Sequence, residues 1–89
     1  MSSESTITSG GFYAHWRTWL NLCGDYIDGP SLYNVRGFVV EELRRNRGEL
    51  AQFERSRAHD IVAEWTELVA AGETLLADVE AAIERMLKR

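Results

Sequence analysis

The chain has 89 residues, of which 45% are hydrophobic and 27% charged, and it carries a net charge of -4. This composition excludes a disordered polar chain, and the length restricts the protein to one domain with a modest core. Cys23 is the single cysteine, so no intrachain disulfide can form, and no apolar stretch approaches the ~20 residues of a membrane-spanning helix.

The N-terminus, MSSESTITSG, is polar and lacks a basic region followed by an apolar run. With the lone cysteine, this leads us to expect a reducing, cytoplasmic setting and no membrane contact. Residues 1–10 show no periodicity and read as a polar tail. Within them, Thr6-Ile7-Thr8 forms a short extended piece suited to docking on a neighbour. Residues 11–89 read as a single helical domain.

The first helical pattern runs from about Gly11 to Cys23 or slightly beyond. Phe12, Trp16, Leu20, Cys23 and Ile27 step by three or four and mark one helical face. Trp19 widens that stripe, and Ser9 is a candidate N-cap. Asp28-Gly29-Pro30 ends the element, because proline cannot continue a helix and glycine suits the position past its end.

Ser31 follows as the next candidate N-cap. Leu32, Val35, Val39, Leu43 and Leu50 form the second stripe, with Phe38 and Val40 beside it. Gly37 costs about 1 kcal/mol relative to alanine inside a helix, so it marks a place where a neighbouring helix approaches closely. Arg44, Arg45 and Arg47 fall in the last turn before Gly48, where cations complement the helix dipole and glycine favours termination.

The third pattern is the strongest. Val62, Val69, Leu76 and Ile83 occupy heptad position a; Trp65, Gly72, Val79 and Met86 occupy d; Ile61, Leu68, Leu75 and Ala82 occupy g. Three apolar positions per heptad make a broad bundle-type stripe. Ala63, Ala70 and Ala77 add a small-sided flank. The register fails to extend back to Leu50 and Phe53, which predicts a kink or break between Ser56 and Asp60. A helix over Glu49–Lys88 would be about 60 Å long, and Ser31–Arg47 only about 25 Å.

Two short helices cannot surround such a long one, so apolar surface is left over. The predicted fold is therefore all-α: a small bundle of three helices, two short and one long and C-terminal, completed by homo-oligomerisation, most simply a two-fold dimer. Trp19, Trp65, Leu68, Gly72, Leu75, Val79 and Met86 are the expected interface. The competing layout breaks the third helix at Gly72 and forms a four-helix monomer.

Chemistry is sparse. Cys23 sits on the apolar stripe of the first helix and reads as a small buried hydrophobe; His15 lies about two turns away, out of reach of it. His15, His59 and Cys23 lack metal-ligand spacing, and Asp60 beside His59 reads as a helix-start residue. Glu64, Glu67, Glu80 and Glu84 have helical spacing but fall on positions that face water. Gly10-Gly11 follows no strand and is not a phosphate loop. Neither a metal nor a cofactor is expected, and a helical enzyme built on Glu64 and Glu67 ranks last.

The arginines remain. Residues 44–59 hold Arg44, Arg45, Arg47, Arg55 and Arg57 against Glu49 and Glu54, while residues 60–84 hold seven acidic side chains and no Arg or Lys. The cluster can be solvated surface paired with local glutamates, a contact for the acidic helix of another copy, or a phosphate site. The acidic helix would repel a long duplex, which disfavours nucleic acid. The sequence thus favours a non-enzymatic interaction module that binds a larger protein stoichiometrically, as an adaptor, antitoxin or phage-type inhibitor does. The alternative is a binder of a phosphate-bearing small ligand, such as a nucleotide, through the five arginines.

Overall fold

The structure, a computed structural model, describes the backbone of residues 2–23 and 29–88 and the side chains of residues 10–23 and 31–88. It contains three helices, α1 (Ser2–Cys23), α2 (Gly29–Arg55) and α3 (His59–Leu87), and no strand among the described residues. The predicted all-α bundle of three helices is therefore observed. Its proportions differ from those expected, and the difference changes the assembly argument.

Helix α2 does not end at Gly48. Its buried stripe continues through Leu32, Val35, Val39, Leu43 and Asn46 to the partly buried Leu50 and Phe53. Phe53 packs on Trp65 with ring centroids 5.7 Å apart. Burying even half of Leu50 and Phe53 is worth about 2 kcal/mol, more than the roughly 1 kcal/mol that a helical glycine costs. Gly48 faces solvent and does not adopt positive φ, so it is no terminator. Arg44, Arg45 and Arg47 accordingly lie in mid-helix, and only Arg55 occupies the last turn.

The chain breaks at Ser56–Ala58, within the predicted window. Arg57 there adopts φ 60°, a left-handed conformation that side chains with a Cβ disfavour. Ala58 is the N-cap of α3 and supplies no side-chain hydrogen bond; Asp60 lies in the first turn, where its charge suits the dipole, rather than at the cap. Helix α3 then runs unbroken through Gly72, so the four-helix layout does not form.

Contacts fix the directions. Leu43 meets Gly72, Arg47 meets Glu73 and Phe53 meets Trp65, so α2 and α3 are antiparallel. Gly10 approaches Leu68, Tyr13 meets Gly72 and Arg17 meets Asp78, so α1 runs parallel to α3. The molecule measures 48 × 19 × 16 Å, one long helix in length and two in width. Helix α1 packs mainly on α3 and touches α2 sparsely.

Helix α2 is about 40 Å long and α3 about 43 Å, so each matches the other along its whole length. The apolar stripe of α3 is consumed inside the chain. Trp65, Leu68, Leu75 and Val79 are core side chains, Gly72 is buried, and Met86 packs against the core edge. These residues were expected at an interface between copies; α1 and the longer α2 cover them instead. The core face of α3 is thereby covered within one chain, while Leu22, Phe38, Val40 and Leu87 remain exposed.

Two smaller expectations also change. Helix α1 begins at Ser2, so residues 2–10 are helical, Ser9 lies inside the helix, and Thr6-Ile7-Thr8 is not an extended piece. Likewise α2 begins at Gly29, which places Ser31 inside it and Pro30 in its first turn, where the missing N–H has no cost. Ile27 and Asp28 lie outside the described residues.

The close helix approach is at Gly72 and not at Gly37. A Cβ on Gly72 would stand 2.6 Å from Tyr13 Cζ and 2.7 Å from Leu43 Cδ2, whereas nothing lies within 4 Å of one on Gly37 or Gly48. Gly72→Ala should therefore destabilise the protein by about 1–2 kcal/mol, overpacking outweighing the helix-propensity gain. Gly37→Ala and Gly48→Ala should each stabilise it by about 0.5–1 kcal/mol. Urea titrations of the three variants against the parent test the contrast.

At the turn, Arg57→Gly should relieve the left-handed strain and Ala58→Asp should add the missing cap. Each is expected to raise stability by roughly 1 kcal/mol. Thermal melts followed by circular dichroism would reveal these gains.

Candidate functional site

Two features of the folded chain are candidates for function: the arginine run and an aromatic seam. The arginines do not converge. Arg44 donates to Glu41 Oε2 at 2.8 Å, Arg45 pairs with Glu42, and Arg47 donates to Glu73 Oε2 at 2.9 Å. The Arg47–Glu73 pair joins the basic stretch of α2 to the acidic α3 of the same chain. Arg55 and Arg57 stand exposed near the turn, with no carboxylate within ion-pair distance among the described residues. Arg44 and Arg55 are separated by about 16 Å of helix.

Exposed ion pairs such as Arg44–Glu41 contribute only about 0–1 kcal/mol. The Arg45–Glu42 pair is unlike the others because the Glu42 side chain is only 8% exposed. A carboxylate at that depth requires its charged partner and its hydrogen bonds. Arg44, Arg45 and Arg47 therefore hold α2 to its own glutamates and to α3, while Arg55 and Arg57 face outward with no ion pair among the described residues.

The aromatic seam lies where α1 meets α2. Phe12, Trp16 and Trp19 recur at helical spacing along α1 and are all partly buried. Trp16 is the hub. Its ring centroid lies 6.4 Å from Phe12, 5.3 Å from Trp19 and 4.9 Å from His15, all edge-on. Across the seam it meets Phe38 of α2 at 5.9 Å, the rings tilted by 32°. Phe38 remains 51% exposed. Phe12, Trp16 and Trp19 are partly buried against the core, so Phe38 is the ring of the group that stands half in solvent.

Of the residues the sequence marked as an interface, Trp19 is partly buried on α1 and Trp65 lies in the core. The sequence missed that Trp16 packs on Phe38 of α2. It also placed Cys23 on the buried stripe, whereas the thiol is exposed. The face of α1 that enters the core is set by Tyr13 and Leu20, which are rotated from the Phe12–Trp16 row.

Tyr13 is the residue that sequence reasoning overlooked. Its ring sits over Gly72, and Asn46 Nδ2 donates to its hydroxyl at 2.5 Å. Both side chains are 3% exposed. A signal was present: Asn46 occupies a core position, seven after Val39 and four before Leu50, and a polar group there requires a partner. Burial pushes the Tyr13 phenol from 10.0 up to about 12; the Asn46 hydrogen bond opposes this and the Glu42 charge adds to it.

Among the described residues no group of three or more His, Cys, Asp or Glu is placed to hold a metal ion. Glu64, Glu67, Glu80 and Glu84 are exposed along α3, and His15 and His59 face solvent. No described helix is long and apolar enough to cross a membrane. The fold and surface thus define an up-down-up three-helix bundle with an aromatic seam on one flank, of which Phe38 is the exposed ring. No known protein family, curated protein or solved structure matches the chain.

The raised Tyr13 pKa has a pH consequence. The folded state holds the phenolic proton more tightly than the unfolded chain. The associated stability is fully present below pH 10 and is lost as pH rises through about 12. The loss should amount to about 2–3 kcal/mol. Tyr13→Phe should remove this alkaline dependence while lowering neutral-pH stability by about 1–2 kcal/mol, because Asn46 loses its acceptor. Denaturant melts of both proteins between pH 8 and 12 measure the two effects.

Proposed function

We propose that this chain is a non-enzymatic interaction protein that binds a larger protein stoichiometrically through the seam between α1 and α2. The observation that carries this reading is an aromatic group in which Trp16 touches Phe12, Trp19 and Phe38, with Phe12, Trp16 and Trp19 partly buried and Phe38 51% exposed. Aromatic side chains lose little conformational entropy on burial, and each offers a large area to a partner. Tryptophan is among the residues that dominate binding energy at protein interfaces.

The partner that fits is a protein presenting an apolar ridge or helix face. Such binding would serve an adaptor, an antitoxin or an inhibitor acting in the cytoplasm. The alternative reading, a phosphate-bearing small ligand held by all five arginines, gains no support from an arrangement in which three of them are occupied by carboxylates.

Site-specific photo-crosslinkers placed at Trp19 and Phe38, and at the exposed Ala70 on the far side of α3, test the proposal in cells expressing the full chain. We expect one discrete protein adduct from the first two positions and none from Ala70. Trp19→Ala and Phe38→Ala should weaken binding of the partner so identified at least tenfold, with helix content unchanged. Adducts that form equally at all three positions, or binding indifferent to both alanine variants, would refute it.

A further inference from the structure

We infer that α1 is an exchangeable arm, and that the groove it occupies on the α2–α3 hairpin accepts α1 from a second copy of this chain. The ground is how α1 is held, the Trp16–Phe38 contact across the seam included.

The three helices are not equally tied. Helices α2 and α3 are joined by the short Ser56–Ala58 turn and match one another over their full length. Helix α1 is held differently, mainly by α3 and through a few specific features. The ring of Tyr13 fills the slot left by Gly72 beside Leu43. The Tyr13 hydroxyl accepts from Asn46. One helical turn further on, the Arg17 guanidinium pairs with Asp78, both side chains partly exposed.

Together these features make the groove a reader of α1. It has a steric slot that admits a large ring only because residue 72 lacks a Cβ. It also has one buried polar side chain that needs an oxygen, and one carboxylate that needs a cation. Leaving the groove empty would uncover Leu43 and Leu75 and break the Asn46–Tyr13 hydrogen bond, so an undocked hairpin gains by recapturing a helix of this pattern. A second copy carries the same Tyr13 and Arg17 at the same spacing. Its α1 therefore satisfies the groove with the same contacts, which is the condition for arm exchange.

Covalent attachment gives the chain's own α1 a high effective concentration, on the order of millimolar for a short connection, so the closed monomer dominates in dilute solution. Exchange becomes visible when intrachain docking is weakened while docking between copies is kept.

The Arg17–Asp78 pair allows this. Arg17→Asp and Asp78→Arg each set two like charges face to face in the closed monomer. When the two variants exchange arms, both junctions unite opposite charges. Each variant alone should remain helical, stay monomeric and melt several degrees below the parent. An equimolar mixture, warmed through the transition and cooled, should yield a species of twice the monomer mass that melts close to the parent. A mixture that stays monomeric and melts as the sum of its parts overturns the inference. Hydrogen exchange on the unmodified protein gives a second reading that does not depend on how the variants fold. Amides of α1 over residues 10–23 should exchange at least tenfold faster than the buried amides of α2 and α3. Equal protection across all three helices, meaning that α1 opens only on global unfolding, also overturns it.

Discussion

The bundle depends on a missing Cβ. Gly72 lies midway along α3 on its core face, and there the Tyr13 ring and the end of Leu43 occupy the space a larger residue would need. Three helices can meet at one level only if one of them is locally thin. The exchange of methyl for ring has a further consequence. Tyr13 brings a hydroxyl into the core, and Asn46 is buried to meet it. A steric requirement on one helix is thus linked to a polar requirement on another, and the pair sets the rotation of α1. That rotation puts Tyr13 and Leu20 inward and leaves the row of Phe12, Trp16 and Trp19 partly buried at the core edge, where Trp16 meets Phe38 of α2.

Charge follows the same geometry. The sequence separates a basic stretch from an acidic helix, and the antiparallel hairpin brings them back together. Arg47 reaches Glu73 across the interface, Arg17 reaches Asp78 from the other side, and Arg44 and Arg45 pair with glutamates one turn away. Most of these pairs are exposed and contribute little to stability individually. Arg47–Glu73 bears on register, since a hairpin shifted by one turn would carry Arg47 away from Glu73. What remains for other molecules is the polar turn with Arg55 and Arg57, and the aromatic flank.

The two features that look suboptimal for stability lie together at the turn. Arg57 is held at positive φ and Ala58 leaves α3 without a side-chain cap. A short connection between two long helices constrains the backbone there, and the burial along α2 and α3 outweighs the local cost. Phe38 is similar in kind: a ring left 51% exposed forgoes packing energy within the chain, and contact with a partner would recover it.

The sequence by itself determined the secondary-structure class, the three helices and the inward face of α3. Heptad periodicity fixes which side chains share a helical face regardless of what covers them, so Trp65, Leu68, Leu75 and Val79 were legible as buried positions. The break between Ser56 and Asp60 was legible too, because two apolar registers failed to join. Tertiary structure alone decided what covers that face. Periodicity carries no information about the partner, so the same stripe fits a second copy or the chain's own α1 and α2. Helix length settled it: Leu50 and Phe53 extend α2 past Gly48 through long-range burial against α3, which a local glycine signal cannot foresee. The seam was hidden for a related reason. On α1, Tyr13 and Trp16 are both large and aromatic, and hydrophobicity does not distinguish them. Only the slot at Gly72 and the amide of Asn46, far away in sequence, select Tyr13 for the core and leave Trp16 at the surface.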